Sequence, residues 1–328
     1  MGRIVVVGGL NMDLHLFGLH QWSGQAPLFA EHHLVQPGGK GGNVARAVAR
    51  LGADVQLVAR VGDDDFGRAC VDAVAADGVD TSGVTVTAGV ASGFVAIELT
   101  EGRHRSLVFA PGANDHLSWG DVEPYIRPLG ADDAVVAQAE IPSVVLAELC
   151  ALCRERDVAL YLDPAPPDRI GRDHLLAATV ITPNLAEAAQ LVGRSEHSQL
   201  WPALAARELV ESGARRVVVK AGARGALLVH HADGGPEATM IPTADVEMLD
   251  ETGAGDVFLA ALAVHRLEGA DWHRATRFAN AASALSVASH GLMLPDRSMV
   301  DTAVERLDAS HPHDTPVPAS WNAGRSAG

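Results

Sequence analysis

The chain has 328 residues, enough for one large α/β domain or two smaller ones, and 48% of them are hydrophobic, which suffices for a sizeable core. Its net charge is −16, so it lacks the basic surface that neutralises a nucleic-acid backbone; a nucleotide could be held only locally, by backbone amides, a lysine and a divalent ion. Three cysteines, an odd and low number, argue against a disulfide framework and fit a reducing cytoplasm.

Arg3–Val7 is a Val-rich run ending on glycines, as for a buried strand, with no signal peptide ahead of it and no apolar run of membrane-spanning length in the chain. Lys40–Leu51 carries Val44, Val48 and Leu51 at helical spacing. "VQLVARVGDD" reads as strand then loop, and Phe66–Ala76 as a helix. "DDAVVAQAE" and "DVALYLDPAP" are strands flanking the helix Val144–Arg156, where Cys150 and Cys153 are core residues one turn apart, with no second pair to complete a zinc site. "TVITPN" is a strand before the helix Leu185–Val192, and "ARRVVVKAGARGALLVH" gives two strands about a glycine turn. Ala254–Leu267 and Trp272–Ser289 are Ala-rich helices.

This alternation predicts a mainly parallel sheet with helices on both faces, and ligands beyond the carboxyl ends of its strands. Two segments, about 14–36 and 91–110, break the alternation. They read as a small β lid inserted in a domain spanning 1–310, the second being a hairpin around Glu101–Gly102. Residues 311–328, rich in Pro, Ser, Ala and Gly, read as a disordered tail. Fifteen histidines are scattered without ligand spacing.

Five clusters carry chemistry. In Asp250–Asp256, Gly253, Ala254 and Gly255 let a ligand approach their amides at a helix N-terminus, which suits phosphoryl charge. Asp256 there is either a base or a helix cap. The spacing matches neither a Walker A loop nor a dinucleotide fingerprint. Gly38, Gly39, Lys40, Gly41, Gly42 and Asn43 open another helix, as a substrate cradle or a flexible loop. Asn11 and Asp13, beyond the first strand, and Glu140, beyond "AVVAQAE", are hydroxyl-binding side chains or loop caps. Asn184 and Glu187 in "TPNLAEA" share a face at a helix start, where they cap the helix or hold hydrated Mg²⁺. Lys220, Gly222 and Gly225 in "KAGARG" form a hairpin turn that could cover nucleotide phosphates.

Together and in this order, these clusters resemble the ribokinase-like (PfkB) carbohydrate kinases. "GGLNMDL", "PGGKGGNVARAVARLGADVQLVARVGDDDFG", "APGAN", "TPNLAEA", "KAGARG" and "DETGAGDVF" carry the likeness, over about residues 3–308. The resemblance implies a three-layer α/β sandwich with a β lid, an ATP-dependent sugar kinase, and a homodimer formed through the lid. It implies that Asp256 is the catalytic base and Gly253, Ala254 and Gly255 the anion hole. Asn11, Asp13, Gly38, Gly39, Lys40, Asn43 and Glu140 would bind sugar. Asn184 and Glu187 would organise Mg²⁺ through water, Lys220 to Gly225 would cover the ATP phosphates, and Asn280 would lie beside the adenine. Asp250 and Thr252, with Ser286, Ser289 and Gly291, would form a K⁺ site. The sequence departs from the family pattern at Glu251, at Pro295 in the cation loop and at "SGQAP" in the first lid segment.

The same motifs serve a nucleoside kinase, and a non-catalytic sugar sensor on this fold is a third reading. Against the sensor, Asp256, the glycines, Asn184 and Glu187 are all present. Arg103 and Arg105 on the lid hairpin would meet a sugar phosphate or simply stay solvated. Phe94, Val95, Ile97, Leu99 and Leu107 would supply the apolar contacts of the dimer.

Overall fold

The computed structural model describes residues 2–18, 29–100, 103–194 and 202–317. The first strand, β1 (Ile4–Val7), runs through Gly8–Leu10 into β2 (Asn11–Phe17); β3 (His32–Gly38) and α1 (Lys40–Arg50) follow. Next come β4 (Val55–Gly62), α2 (Asp65–Ala76), β5 (Asp80–Thr87), β6 (Gly93–Thr100), β7 (Arg103–Ala110), α3 (Trp119–Ile126), β8 (Ala134–Gln138), α4 (Ser143–Arg156) and β9 (Ala159–Asp163). After them lie α5 (Arg172–Ala177), β10 (Val180–Ile181), α6 (Leu185–Leu191), α7 (Pro202–Glu211), β11 (Arg216–Lys220), β12 (Ala226–Ala232) and β13 (Gly235–Ile241). The chain closes with α8 (Ala254–Leu267), α9 (Trp272–Ser286), α10 (Arg297–Ser310) and β14 (Thr315–Pro316).

The large sheet has the order β14-β13-β12-β11-β10-β9-β8-β1-β4-β5. From β5 to β11 every pairing is parallel, and β12 to β14 extend the sheet antiparallel. The sequence of β1 shows why both faces are covered. Ile4 and Val6 enter one core with Val44 and Val48 of α1 and the apolar side of α8 and α9. Val5 and Val7 enter the other, with Val122 of α3, Leu146 and Leu149 of α4 and Leu209 of α7. A strand apolar at every position is what burial on both faces requires. Cys150 and Cys153 lie in that second core, unpaired and buried.

The lid is a separate four-stranded sheet of order β3-β2-β6-β7, in which β2 pairs parallel with β6 and antiparallel with β3. Its strands lie in and beyond the two segments expected to interrupt the alternation. Asn11, Asp13 and Gly38 belong to the lid strands themselves, because β2 begins at Asn11 and β3 ends at Gly38. Residues 19–28 and the turn Glu101–Gly102 lie outside the described residues, as do the side chains of Leu99, Arg103 and Arg105.

Ile97 is buried and therefore unavailable as a surface contact, whereas Leu107 and Val108 are 56% and 65% exposed. Phe94 stacks on Phe66 of α2 at 5.9 Å between ring centroids.

Two further expectations change. The helix predicted to reach Ser289 ends at Ser286, since the carbonyl of Val287 accepts from the amides of Leu249 and Asp250, and the chain turns there. The tail is ordered further than its composition implies. Arg277, largely buried on α9, donates to Asp308, Asp314 and the His311 carbonyl, and β14 then pairs with β13. Residues 318–328 lie outside the described residues.

Candidate active site

The parallel strands all end at one edge, and the polar residues that terminate them meet there. β1 leads through two glycines into Asn11, β8 into Glu140, β9 ends on Asp163, β10 leads to Asn184, and β11 ends on Lys220. The N-termini of α1 and α8 face the same edge.

One group gathers around the start of α1. The backbone amide of Gly39 favours the ionised form of Asp13, and that of Lys40 the ionised form of Glu140. Gly39 has φ 82°, and a side chain there would strike the backbone amide of Asn11 at 2.7 Å. A side chain on Gly38 would fall 1.9 Å from Asp13 Oδ2. The glycines are thus required by close approach, and the cradle is built rather than loose. The Asn11 carboxamide accepts from Asn114 Nδ2 at 2.7 Å, while Asn114 Oδ1 accepts from the Leu10 amide at 3.0 Å. Asp13 Oδ1, Asn43 Oδ1 and Glu140 Oε2 are buried and make no hydrogen bond among the described residues. Unsatisfied buried oxygens of this kind suit the hydroxyls of a polyol.

Asp256 sits in the first turn of α8, 4% exposed. Its Oδ2 accepts from Asn43 Nδ2 at 2.8 Å, and its Oδ1 lies 3.6 Å from Lys40 Nζ. It does not cap the helix; the N-cap residue is Gly253, in the left-handed region at φ 74° and ψ −2°. The amides of Gly255 and Asp256 fall in the first turn, where no intrahelical acceptor precedes them. A side chain on Gly255 would lie 3.1 Å from Lys220 Nζ. Lys220 in turn donates to Asp163 Oδ2 at 3.0 Å. Behind it, Asn184 and Glu187 close a capping box: Asn184 Oδ1 accepts from the Glu187 amide at 2.9 Å, and Glu187 Oε2 from the Asn184 amide at 2.7 Å.

Burial and charge set the protonation states. Burial, reinforced by Glu140, pushes Asp13 from 3.8 to about 8. Burial raises Glu140 from 4.5 to about 7 against the pull of Lys40. Asp256 is raised by burial, opposed by Lys40 and the Asn43 hydrogen bond. Asp163 goes the other way: burial would raise it, but Lys220 and Lys40 together hold it down. Burial alone would lower Lys40; Asp163, Asp256 and Glu140 instead hold its proton tightly.

Other expected residues have different settings. Asn280 donates through Nδ2 to the carbonyls of Ile241 and Pro242, so its amide holds the segment after β13. Asp250 is fully buried; its Oδ1 accepts from the Thr252 amide and its Oδ2 from the Gly291 amide, both at 2.9 Å. The Ser286 hydroxyl donates to the Ser283 carbonyl within its own helix, and Ser289 lies in the loop beyond. Gly222 and Gly225, with φ of 58° and 87°, shape the turn after Lys220.

Asp163 and Asn114 are the residues that sequence reasoning missed. The signal for Asp163 was there, a carboxylate closing an apolar strand in the same way that Glu140 follows β8.

Asp13 and Glu140 bind protons more tightly folded than unfolded, so between pH 4 and 8 the native state holds the extra protons. Stability therefore falls as pH rises through that window. Thermal unfolding of the ligand-free protein at pH 5 and pH 8 checks this. The wild type melts lower at pH 8, and Asp13→Asn narrows the gap between the two pH values.

The chain is similar to known proteins over most of its length. The model of the pfkB family of carbohydrate kinases matches residues 1–298. A ribokinase from Bacillus subtilis is 35% identical over 303 residues, covering 92% of this chain and 99% of its own. The structure of a ribokinase from Thermotoga maritima superposes with a TM-score of 0.81 at 30% identity, covering 93% of this chain and all of that one. Arabidopsis thaliana ribokinase, solved with ribose and ATP, superposes with a TM-score of 0.78 at 27% identity, covering 93% of this chain and 99% of its own. The three-layer fold and lid expected from the motifs are those of these structures, and the chain belongs to the pfkB family of carbohydrate kinases.

Proposed function

We propose that this chain is an ATP-dependent sugar kinase that phosphorylates a primary hydroxyl of ribose or a close relative, with Asp256 as the general base. The observation that carries the reading is the position of the Asp256 carboxylate: buried at the amide-presenting end of α8, with the unsatisfied oxygens of Asp13, Asn43 and Glu140 beside it. The ribokinase names of the relatives, and the ribose and ATP in one of the solved structures, support the choice of substrates.

In this reading Asn11, Asp13, Glu140 and the Gly38–Asn43 cradle bind the sugar hydroxyls, and the lid excludes water. Lys40 and Asn43 orient the Asp256 carboxylate, which accepts the proton of the attacking hydroxyl. Burial lifts the proton affinity of Asp256 above that of an ordinary aspartate, which favours the transfer. The free amide of Gly255 and the Lys220 ammonium stabilise charge on the transferred phosphoryl group, while the Ala254 amide donates to the Glu251 carbonyl at 3.2 Å. The turn Lys220–Gly225 covers the phosphates, and the segment held by Asn280 flanks the adenine.

The residues present fit a hydrated Mg²⁺ brought in by the nucleotide. Glu187 keeps one oxygen outside its capping box, and burial raises its proton affinity against the pull of Lys220 and Lys40. A divalent ion there would neutralise phosphate charge.

The reducing compartment suggested by three buried, unpaired cysteines is the cytoplasm, and among the described residues no helix is long and apolar enough to cross a membrane.

Asp256→Asn is expected to lower kcat about 10²–10⁴-fold while leaving sugar affinity nearly unchanged. Assays of ribose, fructose, 2-keto-3-deoxygluconate and adenosine with ATP identify the substrate. Preference for adenosine would overturn the sugar reading, and wild-type turnover in Asp256→Asn would remove the base.

The Asp250 carboxylate, with carbonyls near Ser286, Ser289 and Gly291, offers oxygens for a monovalent cation, although both of its own oxygens already accept amides. We expect modest activation by K⁺, read as initial rate against a bulky organic cation at fixed ionic strength and Mg²⁺. Equal rates would exclude a functional site.

Leu107 and Val108 on the lid are suited to pairing with a second lid, and sedimentation at micromolar concentration should give a dimer; a strict monomer would contradict this.

A further inference from the structure

The segment His290–Leu292 is gripped from two sides. On one side is the lid. A side chain at Gly291 would lie 2.9 Å from Leu34 Cδ2 and 3.2 Å from Gln36 Oε1, so these two β3 side chains rest directly on its backbone. The ring of Phe17, on β2, meets the ring of His290 edge-on at 6.0 Å. On the other side is the turn that opens α8. The Gly291 amide donates to Asp250 Oδ2, and Asp250 Oδ1 accepts from the Thr252 amide. Leu292 Cδ1 fills the space a side chain at Gly253 would occupy, 2.3 Å from that position. Gly253 is the left-handed residue that sets the direction of the first turn of α8, three residues before Asp256.

We infer that Leu34 and Gln36 of the lid, acting through Gly291 and Leu292, set the geometry of the Thr252–Asp256 turn, so that the phosphoryl-binding end of α8 is in register only with the lid seated. The inference rests on the reading of that turn as the phosphoryl-binding end of the site.

The physical reason lies in how little freedom the segment has. Asp250 is fully buried, and its two oxygens are shared between the two loops. Gly291 therefore cannot shift without moving Asp250 or breaking a buried hydrogen bond to a carboxylate, which is among the costlier bonds to lose. Leu292 occupies the one volume left open by the missing side chain of Gly253, so a displaced Leu292 leaves that left-handed turn unsupported. Coupling through packed side chains and hydrogen bonds needs such a contiguous path, and here every link is a direct contact. The consequence for the reaction is protection of the nucleotide: with no sugar to hold the lid down, the turn is not held for transfer to water. Leu34, Gln36 and Leu292 are positioning residues in this account and touch neither reactant.

A double-mutant cycle on kcat tests it. One arm carries Leu34→Ala with Gln36→Ala, the other Leu292→Ala, and each is expected to lower kcat about three- to thirty-fold. Combined, they should lower it no further than the more damaging arm alone, because one path has been broken twice. Sugar affinity of Leu292→Ala, measured by calorimetry without nucleotide, should stay within about twofold, and Leu292→Met, which conserves volume, should restore kcat. Multiplication of the two effects, or a loss in Leu292→Ala confined to sugar affinity, would overturn the inference. If Leu292→Ala fails to fold, Leu292→Val takes its place in the cycle under the same criteria. An inactive wild type would sink the kinase reading itself, whereas an active wild type with multiplying effects sinks only this coupling.

Discussion

A carboxylate buried in the first turn of a helix survives only if opposite charge and a donor reach it, and Asp256 has Lys40 on one oxygen and Asn43 on the other. Much of the site follows from this. Asp13, Glu140, Asp163 and Asp256 are gathered at one sheet edge; Lys40 acts on Glu140, Asp163 and Asp256, Lys220 on Asp163 and Asp256, and neither offsets the charge of Asp13. Asp163, which Lys220 contacts directly, is held ionised, while Asp13 and Glu140 are lifted to about 8 and about 7. A sugar that donates hydroxyl hydrogens to the unsatisfied oxygens would supply what the protein leaves missing.

The sheet makes this crowding mechanically possible. Parallel strands buried on both faces are stiff, and all of them deliver their last residues to the same edge. The lid grows from that edge without a long linker. β1 passes into β2 through Gly8–Leu10, and β3 returns into α1 through Gly39. Lid and body are thus joined at the cluster of Asn11, Asp13 and the Gly38–Asn43 turn, and Asn11 and Asp13 are themselves lid residues. The lid also rests on the His290–Leu292 segment, whose Gly291 amide donates to Asp250 Oδ2 just ahead of α8.

The site combines rigid and adaptable parts for the same reason. Asn114 fixes Asn11 to the end of β1 through the Leu10 amide, and the capping box fixes Asn184 and Glu187 to each other. Lys220, by contrast, reaches across from β11 on a flexible stem, with Asp163 as its resting partner. Gly255 lies next to the same ammonium, which a side chain added there would approach to 3.1 Å.

The alternation of Val-rich strands with Ala-rich helices was legible because strands buried on both faces read as unbroken apolar runs and helices leave a 3.6-residue period. The glycine clusters at 38–42 and 253–255 were legible because close approach of backbone leaves no other residue type possible. The ribokinase-like order of motifs then named the cluster around Asp256. Local pattern could not show that Asp163 pairs with Lys220, that Asn114 clamps Asn11, or that Asp250 joins two loops, because these partners lie 57, 103 and 41 residues apart. Nor could it show that the chain after Ser310 leads into a strand at Thr315–Pro316, since Arg277 holds its approach from a helix thirty-odd residues upstream. Composition and periodicity record what each segment buries against itself. The pairing of charges and the seating of one loop on another depend on which strand ends and helix ends the completed sheet brings together, and tertiary structure alone decided those.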